Sequence, residues 1–424
     1  MKQSWFLCID LKSFYASVEC AERNLDPFKT NLVVADPERS RGTICLAITP
    51  AMKQLGVKNR CRIFQIPKQI KYIVAPPRMQ LYIDYSARIY SIYLHYVAKE
   101  DIHVYSIDEV FLDITDYLPL YHMTPRELGK QIMDEIFHET DIRATCGIGT
   151  NLYLAKVALD ITAKHTSDFI GELTEETFCQ KLWHHKPLTD FWRIGPGIAN
   201  RLATYGMFCM EDIAHGNEDL LYKVFGVDAE LLIDHAWGRE TTTMEDIKNY
   251  HSDNHCLSSG QVLPRDYSFE ETRLIIKEMT DLLCLDLVDK GLITNSITLY
   301  LGYSRLSQTT SANGTIQLPT DTNSDRLMIP AVLELYDRIA DPVCSIRRIN
   351  LNCNQVHPEE YHQYDFFLDN ELLIKDRKIQ EASLEIKKRY GKNAILKGMN
   401  LEKGGTTIER NRQIGGHKSG IEQT

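Results

Sequence analysis

Three acidic residues stand where predicted strands end. The opening segment WFLCID is a short apolar run that closes on Asp10, and the helix start FYASVECAER follows it. Asp108 and Glu109 belong to VYSIDEVFLDI, whose alternating apolar residues predict a hairpin. Carboxylates at strand ends of one sheet can share Mg²⁺, and two ions about 3.5–4 Å apart can clamp both oxygens of a nucleotidyl transfer. A single acid after a strand is more often a solvated turn or a helix cap, so only the combination favours a metal site.

The elements around these acids predict an α+β sheet layer with helices on one face. Thr124 begins a capping box with proline at the first helical position, which predicts a helix to about His138. RATCGIG should form a strand, and Asn151 can cap the helix that carries Lys156. Residues 171–240 are interpreted as short helices with short loops.

A second α+β unit is predicted in the second half of the chain. Residues 241–256 are polar and lack periodicity, which indicates a linker before that unit. We expect helices at 268–288 and 328–339 and strands at 293–304 and 345–354. In the last strand, apolar residues alternate with Arg348 and three asparagines, so one face is polar. Such a face can lie on a nucleic-acid backbone, and a solvent-washed face is the alternative.

Composition limits the class of protein more than it identifies a partner. The 424 residues leave room for two to four domains. The first apolar stretch ends at Asp10, too early for export or membrane spanning, and 11 scattered cysteines favour reduced thiols in the cytoplasm over disulfides or zinc. The net charge of −10 argues against a nucleic-acid partner, yet residues 376–424 carry 11 basic against 6 acidic residues. An acidic catalytic centre would mask such a basic region in the total.

Four motifs in order resemble the Y-family DNA polymerases, most closely their UmuC-like bacterial branch. They are IDLKSFYASVE, SIDEVFLDI, CGIGTNLYLAKVALDITAK and WRIGPGIANRL, and the resemblance covers residues 1 to about 400. It implies a right-hand polymerase fold with palm, fingers, helical thumb and an α+β little finger. The implied boundaries are 1–14 and 80–170 for the palm, 15–79 for the fingers, 171–240 for the thumb, 241–256 for the linker, 257–357 for the little finger and 358–424 for a tail.

The same resemblance implies a two-metal site. The side chains of Asp10, Asp108 and Glu109 would hold two Mg²⁺ ions, and the Leu11 carbonyl would join them. The substrate would be a deoxynucleoside triphosphate, added to a primer 3′-end with release of pyrophosphate.

Two neighbouring aromatic residues fall at the implied nucleotide site. Tyr15 occupies the steric-gate position, where its ring would clash with the 2′-hydroxyl of a ribonucleotide. Phe14 belongs to the same site, although we expect its ring to pack inward. A core aromatic on a helix is the plain alternative for Tyr15.

Fixed cations must meet the charge of a triphosphate. By resemblance Lys156 and Lys164 supply them, and eight residues of helix would bring both to one side. Lysines on helices are usually only solvated. In AITPAMKQLGV, Lys53 stands where many relatives carry arginine and Pro50 where many carry tyrosine. Lys53 is therefore a point charge without a bidentate fork, and this position offers no tyrosine hydroxyl to the triphosphate.

Two further segments are expected to hold primer-template DNA. WRIGPGIANRLATYG resembles a helix-hairpin-helix, in which Gly195 and Gly197 would allow a tight turn with backbone N–H groups facing a phosphate. A mere helical corner is the alternative. In the predicted little finger, Arg347 and Arg348 are the candidate DNA contacts.

The acidic segment after the little finger contains a candidate partner-binding peptide. Gln363, Phe366 and Phe367 resemble the bacterial sliding-clamp-binding motif, a glutamine followed by two hydrophobic anchors. A buried C-terminal strand is the alternative. Residues 404–424 are Gly-rich and polar, so we expect them to be mobile and assign them no role. UmuC-like relatives often work with a small accessory subunit or a recombinase filament.

These features predict a low-fidelity polymerase that extends a primer past damaged template bases. The segments account for the whole chain and leave no length for a proofreading exonuclease. One alternative is a palm enzyme that cyclises nucleotides, which has no use for a helix-hairpin-helix or a clamp peptide. The other is a catalytically silent DNA- and clamp-binding accessory protein, and the three intact acids argue against it.

Overall fold

The chain forms two compact units. The structure is a computed structural model, and it describes residues 3–39, 42–252, 255–307, 309–360 and 370–420. Unit 1 holds residues 1–250 together with Gly420, and unit 2 holds residues 251–419. Both combine helices with a sheet, so the predicted α+β class is confirmed. In the described part of the chain, no helix has the length and apolar character needed to span a membrane.

Unit 1 is built on a five-stranded sheet. Its strands in chain order are β1 (Phe6–Leu11), β2 (Leu32–Val34), β3 (Ala47–Ile48), β4 (Ile73–Ala75), β5 (Ile102–Val104), β6 (Glu109–Asp113), β7 (Ala144–Gly149) and β8 (Ile170–Leu173). The main sheet has the order β5-β6-β1-β7-β8, and only β7 and β8 run parallel. A smaller sheet has the order β3-β2-β4. The predicted strand ending near Asp10, the hairpin and the CGIG strand are confirmed.

Helices surround these sheets. They are α1 (Phe14–Ala21), α2 (Pro50–Gln54), α3 (Met79–Tyr93), α4 (Tyr117–Tyr121), α5 (Pro125–Thr140), α6 (Leu152–Val157), α7 (Glu175–Leu182), α8 (Pro196–Ala203), α9 (Met210–Ala214), α10 (Glu218–Phe225), α11 (Asp228–Ala236) and α12 (Met244–Asn249). The predicted capping box starts α5, because Thr124 accepts from the Glu127 N–H and Glu127 accepts from the Thr124 N–H. Asn151 caps α6 by accepting from the Leu154 N–H at 2.8 Å, as predicted.

The segment after α6 does not continue as a regular α-helix. Residues Ala158–Thr162 form a π-helical turn, and Ala163–His165 form a 3₁₀ turn. The eight residues of helix expected between Lys156 and Lys164 are therefore present, but as an irregular helix with a π-helical and a 3₁₀ turn. Gly171 of β8 lies so close to the Ala158 carbonyl that a side chain would not fit between them. This close approach brings the irregular turn against the sheet.

The predicted linker contains a helix that belongs to unit 1. Residues of α12 follow a capping box at Thr243. Met244 is 5% exposed and packs in a cluster with Phe6, Cys8 and Phe111 of the main sheet. The boundary between the two units follows residue 250, inside the predicted linker, but the expectation of a stretch without periodic structure is wrong for Met244–Asn249, because six helical residues are too few to show an apolar period.

Unit 2 has one antiparallel sheet covered by helices on its apolar face. Its elements are β9 (Leu257–Tyr267), α13 (Phe269–Lys290), β10 (Leu292–Tyr303), β11 (Ala312–Thr322), α14 (Asp325–Ile339), β12 (Ile346–Asn354), β13 (His357–Pro358), α15 (Asn370–Tyr390), α16 (Thr407–Asn411), β14 (Gln413–Ile414) and β15 (His417–Lys418). The order is β11-β10-β12-β9, with β13 beside β10. Ile349, Leu351 and Cys353 are fully buried under α13 and α14, as their alternation predicts. Strands β9 and β11 were not foreseen.

The C-terminal segment is part of unit 2 and not a loose tail. Asn400 and Thr407 are 6% and 2% exposed, and both contact Glu278 of α13. Gly415 and Gly416 have positive φ angles and form the turn between β14 and β15. The expectation of a mobile end is therefore wrong for the described residues, because these glycines serve a turn. The clamp-peptide residues Gln363, Phe366 and Phe367 lie outside the described residues.

Candidate active site

The three candidate catalytic carboxylates converge at one end of the main sheet. Asp10 in β1 pairs directly with Glu109 at the start of β6. Opposed residues of antiparallel strands have Cβ atoms about 4.5–5.5 Å apart. The Leu11 N–H donates to the Asp108 carbonyl at 2.9 Å, which holds the β5–β6 turn beside the end of β1. Residues distant in sequence thus meet because β1 lies next to β6.

This end of the sheet carries an excess of negative charge. Burial, followed by the charges of Asp108 and Glu109, raises the pKa of Asp10 to about 7. Loss of water and nearby like charges both disfavour the ionised carboxyl. Crowded carboxylate oxygens are the ligands that Mg²⁺ prefers, and a cation would relieve their repulsion. Asp10, Asp108 and Glu109 fit the expected metal site on this ground.

The three acids are not gathered as tightly as the ligands of one ion. In the described part of the chain, only His184, Cys209 and Glu211 bring three possible ligand atoms within 4.8 Å of one another. That group lies near α7 and α9, where His184 Nδ1 stands 3.2 Å from the Glu211 carboxylate. Two ions about 3.5–4 Å apart need ligands spread more widely than one ion does.

Lys156 is a partner of the carboxylates. Its ammonium lies 2.8 Å from Glu109 and 3.1 Å from Asp160, and the residue is 7% exposed. The Cys8 thiol also donates to Glu109, at 3.3 Å. Burial lowers the pKa of Lys156, but the charges of Asp160 and Glu109 and the hydrogen bond to Glu109 outweigh it and raise that pKa. The positive charge of Lys156 already pairs with these two carboxylates. Its contact with a phosphate stays a prediction.

Three other lysines, from different segments, interact electrostatically with one another, and two of them with Asp10. They are Lys12, Lys53 and Lys164, and Asp10 acts on Lys12 and Lys53. Burial lowers the pKa values of Lys12 and Lys53, Asp10 opposes that change, and the neighbouring lysines add to the lowering. Lys12 also stands 4.0 Å from the centre of the Phe169 ring.

This lysine group can meet a polyanion next to the carboxylates. The sequence indicated Lys53 and Lys164 but missed Lys12. Its signal was its place two residues after Asp10, where β1 has just ended. Mutual repulsion of ammonium groups in a partly buried place is relieved when an anion binds there.

The rings of the two aromatic residues at the start of α1 lie in different environments. Phe14 is 2% exposed, so its ring packs inward as expected. The Tyr15 ring is half-buried and stacks on Tyr82, with centroids 4.5 Å apart and planes 16° apart. Burial and the charge of Asp108 raise the pKa of Tyr15, whereas Arg60 lowers it. Tyr15 thus lies near both Asp108 and Arg60.

The helix-hairpin-helix glycines are not required by the turn. Gly195 is the N-cap of α8 with φ −83°, and Gly197 lies inside that helix. Neither has a positive φ, and a side chain at either would meet no atom within 4 Å. The left-handed residue of this turn is Arg193, with φ 68°. The expectation that these glycines permit a tight turn is wrong; what they leave is open space before the helix N-terminus.

The polar face of the unit 2 sheet forms a shallow groove of about 520 Å³. Its lining consists of small hydroxyl and amide residues, among them Ser258, Thr298, Asn350 and Asn352. Gly260 faces the Asn350 amide, and a side chain at Gly260 would overlap it. The polar face expected from the alternation of β12 is therefore present, and its donors are mostly uncharged.

The two candidate arginines of β12 differ. Arg347 forms an ion pair with Asp266 at 3.4 Å, whereas the Arg348 side chain is exposed. The register of β12 against β9 shifts between Ile346 and Arg348, so the two arginines do not follow a simple alternation of side chains between the sheet faces. Arg348 therefore has more freedom to meet a phosphate than Arg347.

Comparison with known proteins supports the resemblance. A sequence model of the impB/mucB/samB family matches residues 9–160, and one of that family's C-terminal domain matches residues 255–366. The chain is 31% identical to DNA polymerase IV 2 of Bacillus subtilis (strain 168), over 98% of this chain and 99% of that one. It is 26% identical to DNA polymerase IV 2 of Halalkalibacterium halodurans, over 96% and 98%.

A solved structure agrees at the level of the fold. The Y-family DNA polymerase chimera Dbh-Dpo4(243-245)-Dbh matches with a TM-score of 0.66 at 22% identity, and the match covers 84% of this chain and 99% of that one. Together with relatives that align over nearly their whole length, this shows that the chain belongs to the Y-family of translesion DNA polymerases.

Proposed function

We propose that this chain copies damaged template DNA by adding deoxynucleotides to a primer 3′-end. The observation that carries the proposal is the strand register that sets Asp10 opposite Glu109, with Asp108 tied beside them. Two Mg²⁺ ions, held by these carboxylates and the Leu11 carbonyl, would supply the Lewis acidity for phosphoryl transfer. The raised pKa of Asp10 supports this, because burial and the nearby charges of Asp108 and Glu109 disfavour its ionised form and a bound cation would favour it.

Other residues of the chain position and neutralise the nucleotide. Lys12, Lys53 and Lys164 place positive charge next to the carboxylates, where a triphosphate and then the leaving pyrophosphate would lie. Lys156 holds the Glu109 carboxylate in place through its ion pair. The Tyr15 ring would face the sugar and exclude a 2′-hydroxyl by size.

Primer extension tests the proposal. The purified chain, Mg²⁺ and four deoxynucleotides are added to primed template with and without a damaged base, and extension on both is expected. Extension by the chain alone would also show that neither an accessory subunit nor a recombinase filament is required. A protein that binds the primed template without extending it would be the silent accessory protein, and the proposal would fail.

We further propose that two surfaces hold the DNA. The open space before α8, at Gly195 and Gly197, would admit a backbone phosphate to the helix N-terminus. The polar sheet face of unit 2, with Arg348, would contact the sugar-phosphate backbone through neutral donors. Both contacts are blind to base sequence, as an enzyme that copies any template needs.

A sliding clamp is the proposed protein partner, on the sequence of Gln363, Phe366 and Phe367. The double variant Phe366→Ala, Phe367→Ala should weaken clamp binding by roughly tenfold to a few hundredfold, as loss of aromatic hot spots does. It should extend a bare primer normally yet lose the stimulation that loaded clamp gives. Undiminished stimulation would place the contact elsewhere, and a general loss of stability would make the two rings core residues.

A further inference from the structure

A buried carboxylate lies behind the proposed sugar-selecting tyrosine. Glu19 of α1 has no exposed surface, yet four donors reach it. Arg78 donates from Nε and Nη2, both at 2.9 Å, and Tyr82 donates its hydroxyl at 2.8 Å. Arg23 donates as well. Burial raises the pKa of Glu19, but the hydrogen bonds from Arg78, Tyr82 and Arg23 outweigh it, so the carboxylate is held ionised.

This carboxylate reaches Tyr15 through one intermediate ring. The Tyr82 side chain is fully buried, with its hydroxyl bound to Glu19 and its ring stacked on Tyr15. Tyr15 and Glu19 are four residues apart on α1, and Arg78 and Tyr82 are four residues apart at the start of α3. Each pair occupies one face of its helix. The two helices therefore lock together directly behind the Tyr15 ring.

We propose that Glu19 and Tyr82 are positioning residues for sugar selection. Glu19 fixes the Tyr82 hydroxyl, and Tyr82 in turn fixes the plane and depth of the Tyr15 ring. To exclude a 2′-hydroxyl by size, the Tyr15 ring must keep its position, and a half-buried tyrosine without a supporting contact could tilt away. The inference rests on the proposed function, because it concerns how the gate of that polymerase is held.

Three variants loosen this support in graded steps. Tyr82→Phe keeps the stacked ring but removes the bond to Glu19, Tyr82→Leu removes the stack, and Glu19→Gln keeps the shape but weakens the acceptor. The matched control is Tyr85→Phe, since Tyr85 also belongs to α3 and donates to Glu22 of α1 at 2.8 Å. In the described part of the chain, the rings that contact Tyr15 are Phe14 and Tyr82, so this control leaves the stack intact.

The experiment measures kcat and KM for a ribonucleotide and the matching deoxynucleotide on one template, with the melting temperature of each variant. Tyr82→Phe should raise the ribonucleotide to deoxynucleotide ratio of kcat/KM by about threefold to tenfold, the factor that corresponds to one hydrogen bond. Tyr82→Leu should raise it further, mainly through a lower KM for the ribonucleotide. Tyr85→Phe should leave the ratio unchanged.

The outcomes separate this inference from the proposed function. If Tyr15→Ala does not raise the ratio, the gate itself is wrongly assigned and the proposed role of Tyr15 fails. If Tyr15→Ala raises it while folded Tyr82→Phe and Tyr82→Leu do not, Tyr82 only joins the helices and the inference is overturned. Should Glu19→Gln fail to fold, Tyr82→Phe decides, because it removes the same bond while Glu19 stays paired with Arg78 and Arg23.

Discussion

Asp10 in unit 1 is a half-buried carboxylate and Glu278 in unit 2 is a fully buried one, and their neighbours differ in charge. Glu278 is 1% exposed and accepts from the Asn400 side chain at 3.0 Å and from the Thr406 N–H at 2.7 Å. Asp10 instead has Asp108 and Glu109 as neighbours, and with burial they raise its pKa to about 7.

The difference in neighbours distinguishes Glu278, a structural acid, from Asp10, an acid suited to bind a ligand. A carboxylate whose oxygens are met by donors of its own chain stabilises the fold. A carboxylate crowded by like charges costs stability, and such strain is typical of sites that bind a cation or do chemistry. Removing the two acids should therefore have opposite consequences for stability and activity.

The largest expected effect is on activity. Asp108→Ala should reduce primer extension at least about a hundredfold, because removing one group that stabilises a transition state typically costs that much. DNA binding, measured by fluorescence anisotropy, should persist. Asp134→Ala, at an exposed position of α5, is the control and should extend normally. Extension by Asp108→Ala above a few per cent of wild type would show that Asp108 is not a catalytic residue.

Next in size is the effect on stability. Glu278→Ala should lower the free energy of unfolding by about 2–4 kcal/mol, because buried donors of the C-terminal segment lose their acceptor. Asp10→Asn should abolish extension but raise the unfolding free energy by about 1 kcal/mol, since it relieves repulsion at the site. Chemical denaturation measures both. A destabilised Asp10→Asn variant would contradict the distinction drawn between the two acids.

A smaller effect separates charged from neutral DNA contacts in unit 2. Arg348→Ala should weaken DNA binding and lower the slope of log affinity against log salt by about one. Arg347→Ala should change that slope less, because Asp266 already pairs with Arg347. Asn352→Ala should weaken binding without changing the slope, since an amide releases no counterion. Equal slopes for all three variants would argue that the sheet face does not touch phosphates.

The smallest effect concerns Glu240, a partnered carboxylate in unit 1. The hydrogen bond from His235 lowers the pKa of Glu240 from 4.5 to about 2, although burial acts in the opposite direction. A depressed carboxyl pKa adds stability above about pH 4.5 that is lost as the pH falls toward 2. Glu240→Gln should therefore cost on the order of 1 kcal/mol at neutral pH and less at acid pH. A cost that does not change with pH would show that the bond from His235 does not depend on the charge of Glu240.

Local sequence rules were sufficient wherever one short segment decides its own structure. The capping box at Thr124, the cap at Asn151 and the alternation in β12 are all present as predicted. These rules failed where a segment depends on distant partners. The α12 helix forms against the main sheet through Met244, and the C-terminal segment is fixed by Glu278.

The sequence by itself determined the α+β class and the family and predicted the three acids, because apolar periods, caps and motif order are written along the chain. Only the tertiary structure decided what surrounds each charge. It paired Lys156 with Glu109, brought Lys12 toward Lys53 and placed Tyr82 behind Tyr15. Spacing along the chain does not specify such neighbours, since burial and Coulomb energy depend on distances that exist only after the strands and helices have packed.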